Sequence, residues 1–457
     1  MSPVPSQTRR QFLSASASAA SLAVLSPFVS ANSTQANSRL RLAQIGVGGR
    51  GKAALTALQN EQYVAFCDVD EQRGRTETMR GEQTRPILEE FSDARWFKDY
   101  RQMFDRMADQ IDGVVVSTPD HSHFPAAMAA IAAGKHVFVE KPLCRCIQEV
   151  RRLHAAARAA GVVTQMGNQG RAAEGIRLAR EWIAAGLIGE VHTVHAWTDR
   201  PRMPWFHPAR FDPDVPETAE APPPTLDWDL WLGPSPQRPY RSSLAPSLWR
   251  SFVDFGCGSL GDMGCHQLDA AVYALDLAAP ESIEAASSEV FPKTFPDSST
   301  IGWKFAGTAR RAPVEVRWFD GALRPPQPVP GFKHNEGGGS LFYGTKGILS
   351  VGSHSATARL LPESRMQELA GQLPAKTIAR VQGGPFVEWA RAIRGGPACG
   401  SNFDYAANLT ELVLLGVVAL RARGFLQWDS AGMRFPNRPD ADRFLLPGYE
   451  YRPGWSI

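Results

Sequence analysis

Cysteine is scarce in this chain and has no framework pattern. The six in 457 residues, Cys67, Cys144, Cys146, Cys257, Cys265 and Cys399, include no CxxC pair. That excludes a scaffold built on disulfides, leaves no basis for a structural zinc site, and favours buried free thiols. An excess of one charge sign is also missing, since 49 Lys and Arg against 46 Asp and Glu leave +3. Nucleic-acid binding and membrane adhesion driven by charge are excluded, so a neutral or modestly charged small molecule is the expected partner. With 43% apolar, 21% charged and 9% aromatic residues, the chain is neither disordered, collagenous nor a coiled coil. No internal repeat stands out.

Charge is absent altogether between Arg10 and Arg39, where the chain reads QFLSASASAASLAVLSPFVSANSTQANS. A basic start at Arg9-Arg10, a moderately apolar middle and the small-residue site Val29-Ser30-Ala31 make an export signal. A spanning helix needs about 20 predominantly apolar residues, and this run is diluted by serines and broken by Pro27. The string TRRQFL resembles the twin-arginine motif, which implies the twin-arginine export machinery as a partner and a periplasmic location. Residues 1–31 are expected to be the signal and 32–40 a linker. Removing the signal takes away two arginines and leaves +1.

From Leu42 the sequence runs LAQIGVGGRGKAALTAL. A strand-like stretch ends at Ile45, and Gly46, Gly48 and Gly51 form GxGxxG, with Gly49 and Arg50 in the same turn. Such glycines permit a tight turn, close backbone approach to a pyrophosphate, and close packing of helix on strand. A second strand, Tyr63–Cys67, ends at Asp68, 22 residues beyond Gly46. An acid there accepts ribose hydroxyls and repels a 2′-phosphate, which favours NAD over NADP even with Arg73 and Arg75 nearby. Further strands at 113–116, 136–139 and 162–166 alternate with helical stretches at 124–133 and around Ile147–Ala157. This is the pattern of a doubly wound parallel sheet. Ligands bind beyond the carboxyl ends of such strands, where Thr118, Pro119, His121, His123, Glu140, Lys141, Asn168 and Gln169 fall.

The combination of GVGGRG, STPDHSH and EKPL resembles the Gfo/Idh/MocA oxidoreductases. The likeness extends over MGNQGR, WDLWLGPSPQRPY and WRSFVDFGCGSLGDMGCHQLDAAVYAL, which look like those of an exported bacterial branch. The resemblance implies an α/β fold: a Rossmann domain over 41–167 and a C-terminal α+β domain over 168–457 with a large, mostly antiparallel open sheet. It also implies a homo-oligomer. The lysine of EKP and an Asp-x-x-x-His pair meet near the nicotinamide in that family, and here they are Lys141, Asp262 and His266. Histidine titrates near neutral pH, so His266 is the expected base, with lysine as the alternative. Asp262 would orient the imidazole or hold a hydroxyl, and Lys141 would stabilise alkoxide character. The cofactor set is then Gly46, Gly48, Gly49, Arg50, Gly51, Asp68, Thr118, Pro119, His121, His123, Glu140, Lys141 and Asn168. The substrate set is Lys141, Gln169, Arg171, Trp249, Asp262 and His266. Asp262 with His266, or Asp120 with His121 and His123, could supply metal ligands, but spacing offers no further one and no metal is expected.

The second domain is expected to open with a helix over 171–185 and the strand-like GEVHTVHAWT. Strands follow near 282–290, 299–305, 313–318, 341–343 and 348–351, with a mobile loop over 320–340 and a late helix over 405–421. Residues 200–250 are rich in proline and carry Trp205, Trp228, Trp231 and Trp249. Aromatic faces beside polar groups suit carbohydrate. The expected activity is hydride transfer between a secondary alcohol of a sugar, polyol or glycoside and a tightly held NAD. The alternatives are a redox-neutral glycosidase working by transient oxidation, and a non-catalytic sugar-binding protein on the same fold.

Overall fold

Six short segments rich in Val, Ile, Ala and Phe build the first sheet: β1 (Arg41–Ile45), β2 (Gln62–Cys67), β3 (Arg95–Phe97), β4 (Gly113–Val116), β5 (His136–Val139) and β6 (Thr164–Met166). All pair in parallel in the order β3-β2-β1-β4-β5-β6. The central strands are buried on both faces, which is why they read as apolar runs with no alternation. The computed structural model describes residues 39–79, 85–201, 220–242, 244–246, 248–288 and 293–455. The export segment, the linker as far as residue 38, and Trp205 lie outside the described residues.

The strand order reverses direction between β1 and β4, so a crevice opens at their carboxyl ends. Gly46 lies there with φ +84°, and a Cβ on it would stand 2.6 Å from the Ser117 carbonyl oxygen at the end of β4. Only glycine allows the two strand ends to close that far. A Cβ on Gly51 would meet the Gly46 carbonyl oxygen at 2.3 Å, so the third glycine seats the helix Lys52–Ala57 on its own strand.

The second sheet comprises β7 (Val191–Trp197), β8 (Ser282–Ser287), β9 (Ser299–Phe305), β10 (Val314–Phe319), β11 (Gly339–Gly344), β12 (Gly347–Gly352), β13 (Ala358–Leu361) and β14 (Gly424–Gln427). Its order is β13-β12-β11-β7-β10-β9-β8-β14, antiparallel throughout except for the β7–β10 pair. Side chains alternate buried and accessible along β9 and β10, as expected for a sheet with one covered face. The covering element is the helix Phe403–Ala422. It is apolar on every side because it also packs on the helices Ile147–Ala160 and Gly258–Gln267. It is long and apolar enough to cross a membrane, yet most of it is buried inside the protein.

Several boundaries differ from the sequence reading for identifiable reasons. Gly161 ends the preceding helix in the left-handed region, so Val162 and Val163 belong to the turn and β6 starts at Thr164. The helix expected from Arg171 begins at Glu174, because Gln169–Ala172 form a tight 3-10 turn. The glycine run of the 320–340 loop is held in place. The Gly337 carbonyl accepts hydrogen bonds from Gln267 and Ser353, and Gly339 opens β11. All six cysteines are buried free thiols.

Where the first sheet meets the second domain, Asn168 lies fully buried at the end of β6. Its amide donates to Asp269 at 2.8 Å and accepts from the Ser401 hydroxyl at 2.5 Å, while Tyr405 donates to the same aspartate. Asn168 therefore ties the helices that carry the second domain to the sheet end. Replacing it with Ala leaves buried donors and acceptors unmatched. The Asn168→Ala protein should lose about 1–3 kcal/mol in urea unfolding, while its folded form keeps its NAD affinity.

Candidate functional site

A cavity of about 710 Å³ follows the crevice from Asp68 to His266. At its Rossmann end Asp68 Oδ2 accepts the Val47 N–H at 3.0 Å and Oδ1 accepts that of Asp70 at 3.1 Å. The acid thus braces the glycine-rich turn while lining the cavity. Burial pushes its carboxyl up to about 6, against those two hydrogen bonds. Cations that could greet a 2′-phosphate are already engaged, because Glu77 holds Arg73 at 2.5 Å and Lys52 at 3.1 Å. Glycine cradle, strand-end acid and neutralised cations fit NAD and disfavour NADP.

The next residues position one another. Arg50 reaches across the crevice to Glu140 at 2.8 Å and to Gln169 at 3.3 Å. Glu140 lies directly over Gly167, where a Cβ would stand 2.6 Å from its carboxylate. His123 places one ring nitrogen 2.8 Å from the Pro142 carbonyl oxygen and the other 2.9 Å from that of Thr118. Burial pushes it down to about 4 against the two carbonyl contacts, so the ring is neutral and donates its single N–H to one of those oxygens, bracing the turn that carries Lys141. Thr118, Pro119 and His123 line the cavity with Gly46, Gly48, Gly49, Arg50, Glu140 and Gln169.

At the far end Lys141, from the close of β5, meets the helix Gly258–Gln267. Its ammonium donates to the Asp262 carbonyl at 2.7 Å and to Asp262 Oδ1 at 2.9 Å. Burial alone would raise the Asp262 carboxyl, but the charges of Lys141, Arg250 and Arg200 outweigh it and hold the group far below the ordinary carboxylate range. His266, one turn along the helix, is 3% exposed, and its Nδ1 has no hydrogen-bond partner among the described residues. Burial, then Lys141 and His354, push it well below the usual imidazole range. The expected near-neutral titration is thus corrected: burial holds this histidine neutral.

Four of the proposed contacts lie elsewhere. Gly51 packs beneath the turn, and Asn168 belongs to the buried network described above. His121 donates its N–H to the Phe255 carbonyl and has its ring nitrogen 2.9 Å from the Trp231 carbonyl, anchoring the aromatic segment beneath the cavity wall. Arg171 lies buried with its guanidinium carbon 3.5 Å from the Tyr273 ring centre, bonded to the Gly400 carbonyl and away from the cavity lining. Trp249 does line the cavity, whereas Trp228 stacks on Trp231 and supports it.

Sequence reasoning missed Arg200, Arg250 and His354, and weighed Asp120 only as a metal ligand. All four line the cavity. Arg200 contacts Asp262 Oδ2 at 3.2 Å. His354 lies in the left-handed region, with φ +54°, and its ring centre is 4.3 Å from that of His266. Gly170 makes this possible, since a Cβ there would meet the His354 carbonyl at 2.6 Å. Asp120 is 5% exposed, and burial pushes its carboxyl up to about 7 despite Arg250 and Lys141. A glycine and two serines around a lone histidine, Gly352 and Ser353 before His354 and Ser355 after it, were the one available signal for that loop.

Residues 40–168 match the family model for the oxidoreductase family's NAD-binding Rossmann fold, and residues 214–307 match that of the same family's C-terminal alpha/beta domain. Levoglucosan dehydrogenase of Pseudarthrobacter phenanthrenivorans is 25% identical over 219 residues, 48% of this chain and 46% of that protein. D-glucoside 3-dehydrogenase of Escherichia coli is 26% identical over 262 residues, 56% of this chain and 59% of that one. Across these and other curated relatives the matched span is between 24% and 59% of their length. The WlbA dehydrogenase from Bordetella pertussis, solved with NADH and UDP-GlcNAcA, has the same fold. Its TM-score is 0.58 at 16% identity, covering 86% of this chain and 99% of that one.

The Asp68 carboxyl yields a prediction with a definite sign. Only its ionised form accepts hydrogen bonds from both ribose hydroxyls, so NAD affinity should rise as pH passes upward through about 6. Titration calorimetry between pH 5 and 7.5 reads this. Asp68→Asn should bind NAD about tenfold more weakly at pH 7.5, a loss of about 1.5 kcal/mol, and its affinity should no longer vary with pH.

Proposed function

We propose that this chain is a Gfo/Idh/MocA oxidoreductase, a reading supported by the family matches over 40–168 and 214–307, and that it moves a hydride between a secondary alcohol of a sugar, polyol or glycoside and a nicotinamide held in the crevice. The observation that carries this reading is the convergence of Lys141, Asp262 and His266 in one cavity that continues to the glycine-rich turn and Asp68. NAD, when bound, supplies the hydride acceptor. The remaining chemistry belongs to the side chains. His266 is neutral and takes the hydroxyl proton. Lys141 spends two of its three donors on Asp262 and turns the third toward the substrate oxygen, where positive charge favours alkoxide character. Asp262 fixes that ammonium. Burial and the neighbouring cations make a protonated His266 costly, so the proton is passed on to water in the cavity rather than stored.

The basic, uncharged-then-small start of the chain supports export to the periplasm, where no free nicotinamide pool exists. A dehydrogenase there must keep its cofactor between turnovers. Two features of the fold support retention. The 220–246 segment crosses the Rossmann end of the cavity, with Leu226 bridged to Asp70 and the Asp227 N–H bonded to the Val69 carbonyl at 2.9 Å. The C-terminal tail closes beside it. Trp455 lies 4.1 Å under the Arg101 guanidinium and packs edge-on against Tyr100, while Arg101 bonds the Gly454 carbonyl. Both segments line the cavity.

A second reading, the redox-neutral glycosidase, is favoured by Asp120. Transient oxidation followed by elimination needs an acid for the leaving group, and a buried carboxyl raised to about 7 in the same cavity can supply one. Incubation with sugars and aryl glycosides separates the two, as keto-sugar products or released aglycone.

His266→Ala should lower turnover by about 10²–10⁴-fold with NAD content unchanged. Turnover at the wild-type rate would remove His266 as the base. Mature protein purified without added cofactor should release close to one nicotinamide per chain on heating, and Trp455→Ala should emerge from gel filtration depleted. A wild-type protein free of nicotinamide would end the retention reading.

A further inference from the structure

We infer that Arg250 forms a subsite for a carboxylate on the substrate, so that the sugar this cavity takes is an acidic one such as a uronate. The inference rests on the reading of the cavity as the hydride-transfer site and narrows its substrate class.

Three cations face a single carboxylate there. Asp262 Oδ1 receives Lys141 at 2.9 Å and Arg250 at 3.4 Å, and Oδ2 receives Arg200 at 3.2 Å. All are largely withdrawn from water, with side-chain exposures of 9% for Asp262, 12% for Lys141, 16% for Arg200 and 24% for Arg250. Both oxygens of Asp262 have a shorter partner than Arg250. Among the described residues Asp262 is the sole ionic partner of Arg250, whose guanidinium makes no hydrogen bond although it offers five donors.

The other acids of the cavity do not relieve this. Glu140 is paired with Arg50 on the cofactor side, and Asp120, although it feels the charge of Arg250, makes no ion pair with it and is raised to about 7 by its burial. Burying a charge without a matching partner is costly. Part of that cost is met by the Trp249 ring, 4.2 Å from the Arg250 guanidinium carbon. The ring covers the guanidinium from one side, and the guanidinium N–H groups have no hydrogen-bond partner among the described residues.

The turn that presents Arg250 is firmly built. Leu248–Ser251 form a 3-10 turn, the Ser251 carbonyl accepts the Phe295 N–H at 2.9 Å, and Gly256 lies so close that a Cβ would stand 2.7 Å from the Arg250 Cα. A preset fork beside the catalytic lysine suits a planar carboxylate bidentately. A dianionic phosphoryl group would sit against Asp262, within 3.4 Å of the same guanidinium, and pays more repulsion than a monoanion. A neutral sugar leaves the surplus charge unmatched.

The test uses the mature, NAD-loaded protein with glucuronate and galacturonate, glucose and galactose, and glucose 6-phosphate. Calorimetry reads binding and NADH absorbance reads turnover. The uronates should bind at least tenfold more tightly than the neutral sugars and than glucose 6-phosphate. Arg250→Met should erase that preference with bound NAD and circular dichroism unchanged, and Arg250→Lys should restore part of it. Equal binding of neutral and acidic sugars, a preference for glucose 6-phosphate, or an undiminished uronate preference in Arg250→Met would each overturn the inference. Selective uronate binding without any nicotinamide reduction would uphold the subsite and overturn the hydride-transfer reading on which its catalytic meaning rests.

Discussion

The Lys141 ammonium and the Asp262 carboxylate, 2.9 Å apart, come from opposite sides of the crevice: one from the end of β5, the other from the helix Gly258–Gln267. The separation is short enough for a strong charge-assisted hydrogen bond, and burial removes the water that would otherwise weaken it. Such a pair gains little net stability, because desolvation offsets the attraction. Its consequence is geometric. The lysine has its free donor fixed in direction, and the helix holding His266 cannot turn or slide without separating two buried charges. The long helix Phe403–Ala422 backs the same element from behind, through Val413 and Leu260 on either side of Gly264.

Histidine chemistry at this site is governed by burial. His121, His123, His266 and His354 are all pushed toward the neutral form, burial being the first cause in each case. A neutral ring has a single N–H to give, so His121 donates to the Trp231 carbonyl, and His123, which lies between the Pro142 and Thr118 carbonyl oxygens, donates to one of them at a time. Neutrality also permits His354 to lie over His266 without charge repulsion. The acids divide in the opposite manner. Asp262 stays ionised among cations, whereas Asp68 and Asp120 are raised by burial. One crevice therefore holds a fixed charge pair, a neutral imidazole and a carboxyl raised to about 7, a spread of protonation states that general acid–base chemistry uses.

What was legible in the sequence was what a short-range pattern fixes. The parallel strands announced themselves because burial on both faces demands unbroken apolar runs, and the glycines of 46–51 stand where backbone meets backbone. β3, β13 and β14 were missed, and each lies at the edge of its sheet, where one partner suffices and little apolar character is required. Asn168 and Arg171 read as site residues because they follow a strand end, but polar residues at that junction are equally suited to joining two domains, and they do so. Arg200, Arg250 and His354 reach the cavity from separate segments far apart in the sequence, so no periodicity or spacing connects them.

The charge of the chain makes the same point about scale. A surplus of +3 over 457 residues describes solubility and long-range fields, and it matched a neutral small molecule. Within the cavity the relevant quantity is how many cations share one carboxylate, because at low dielectric a surplus charge acts over a few ångströms and is not screened. Lys141 and Arg250 both approach Asp262 Oδ1 while Arg200 takes Oδ2. The ionic partner of Lys141 is thus shared. Any anion that draws Arg250 away relaxes its claim on Oδ1 and strengthens the Lys141 contact, so a charge brought beside Arg250 would be felt at the Lys141 ammonium. Three cations and one carboxylate thus form a single coupled unit, in which moving any one of them alters the electrostatic surroundings of the others.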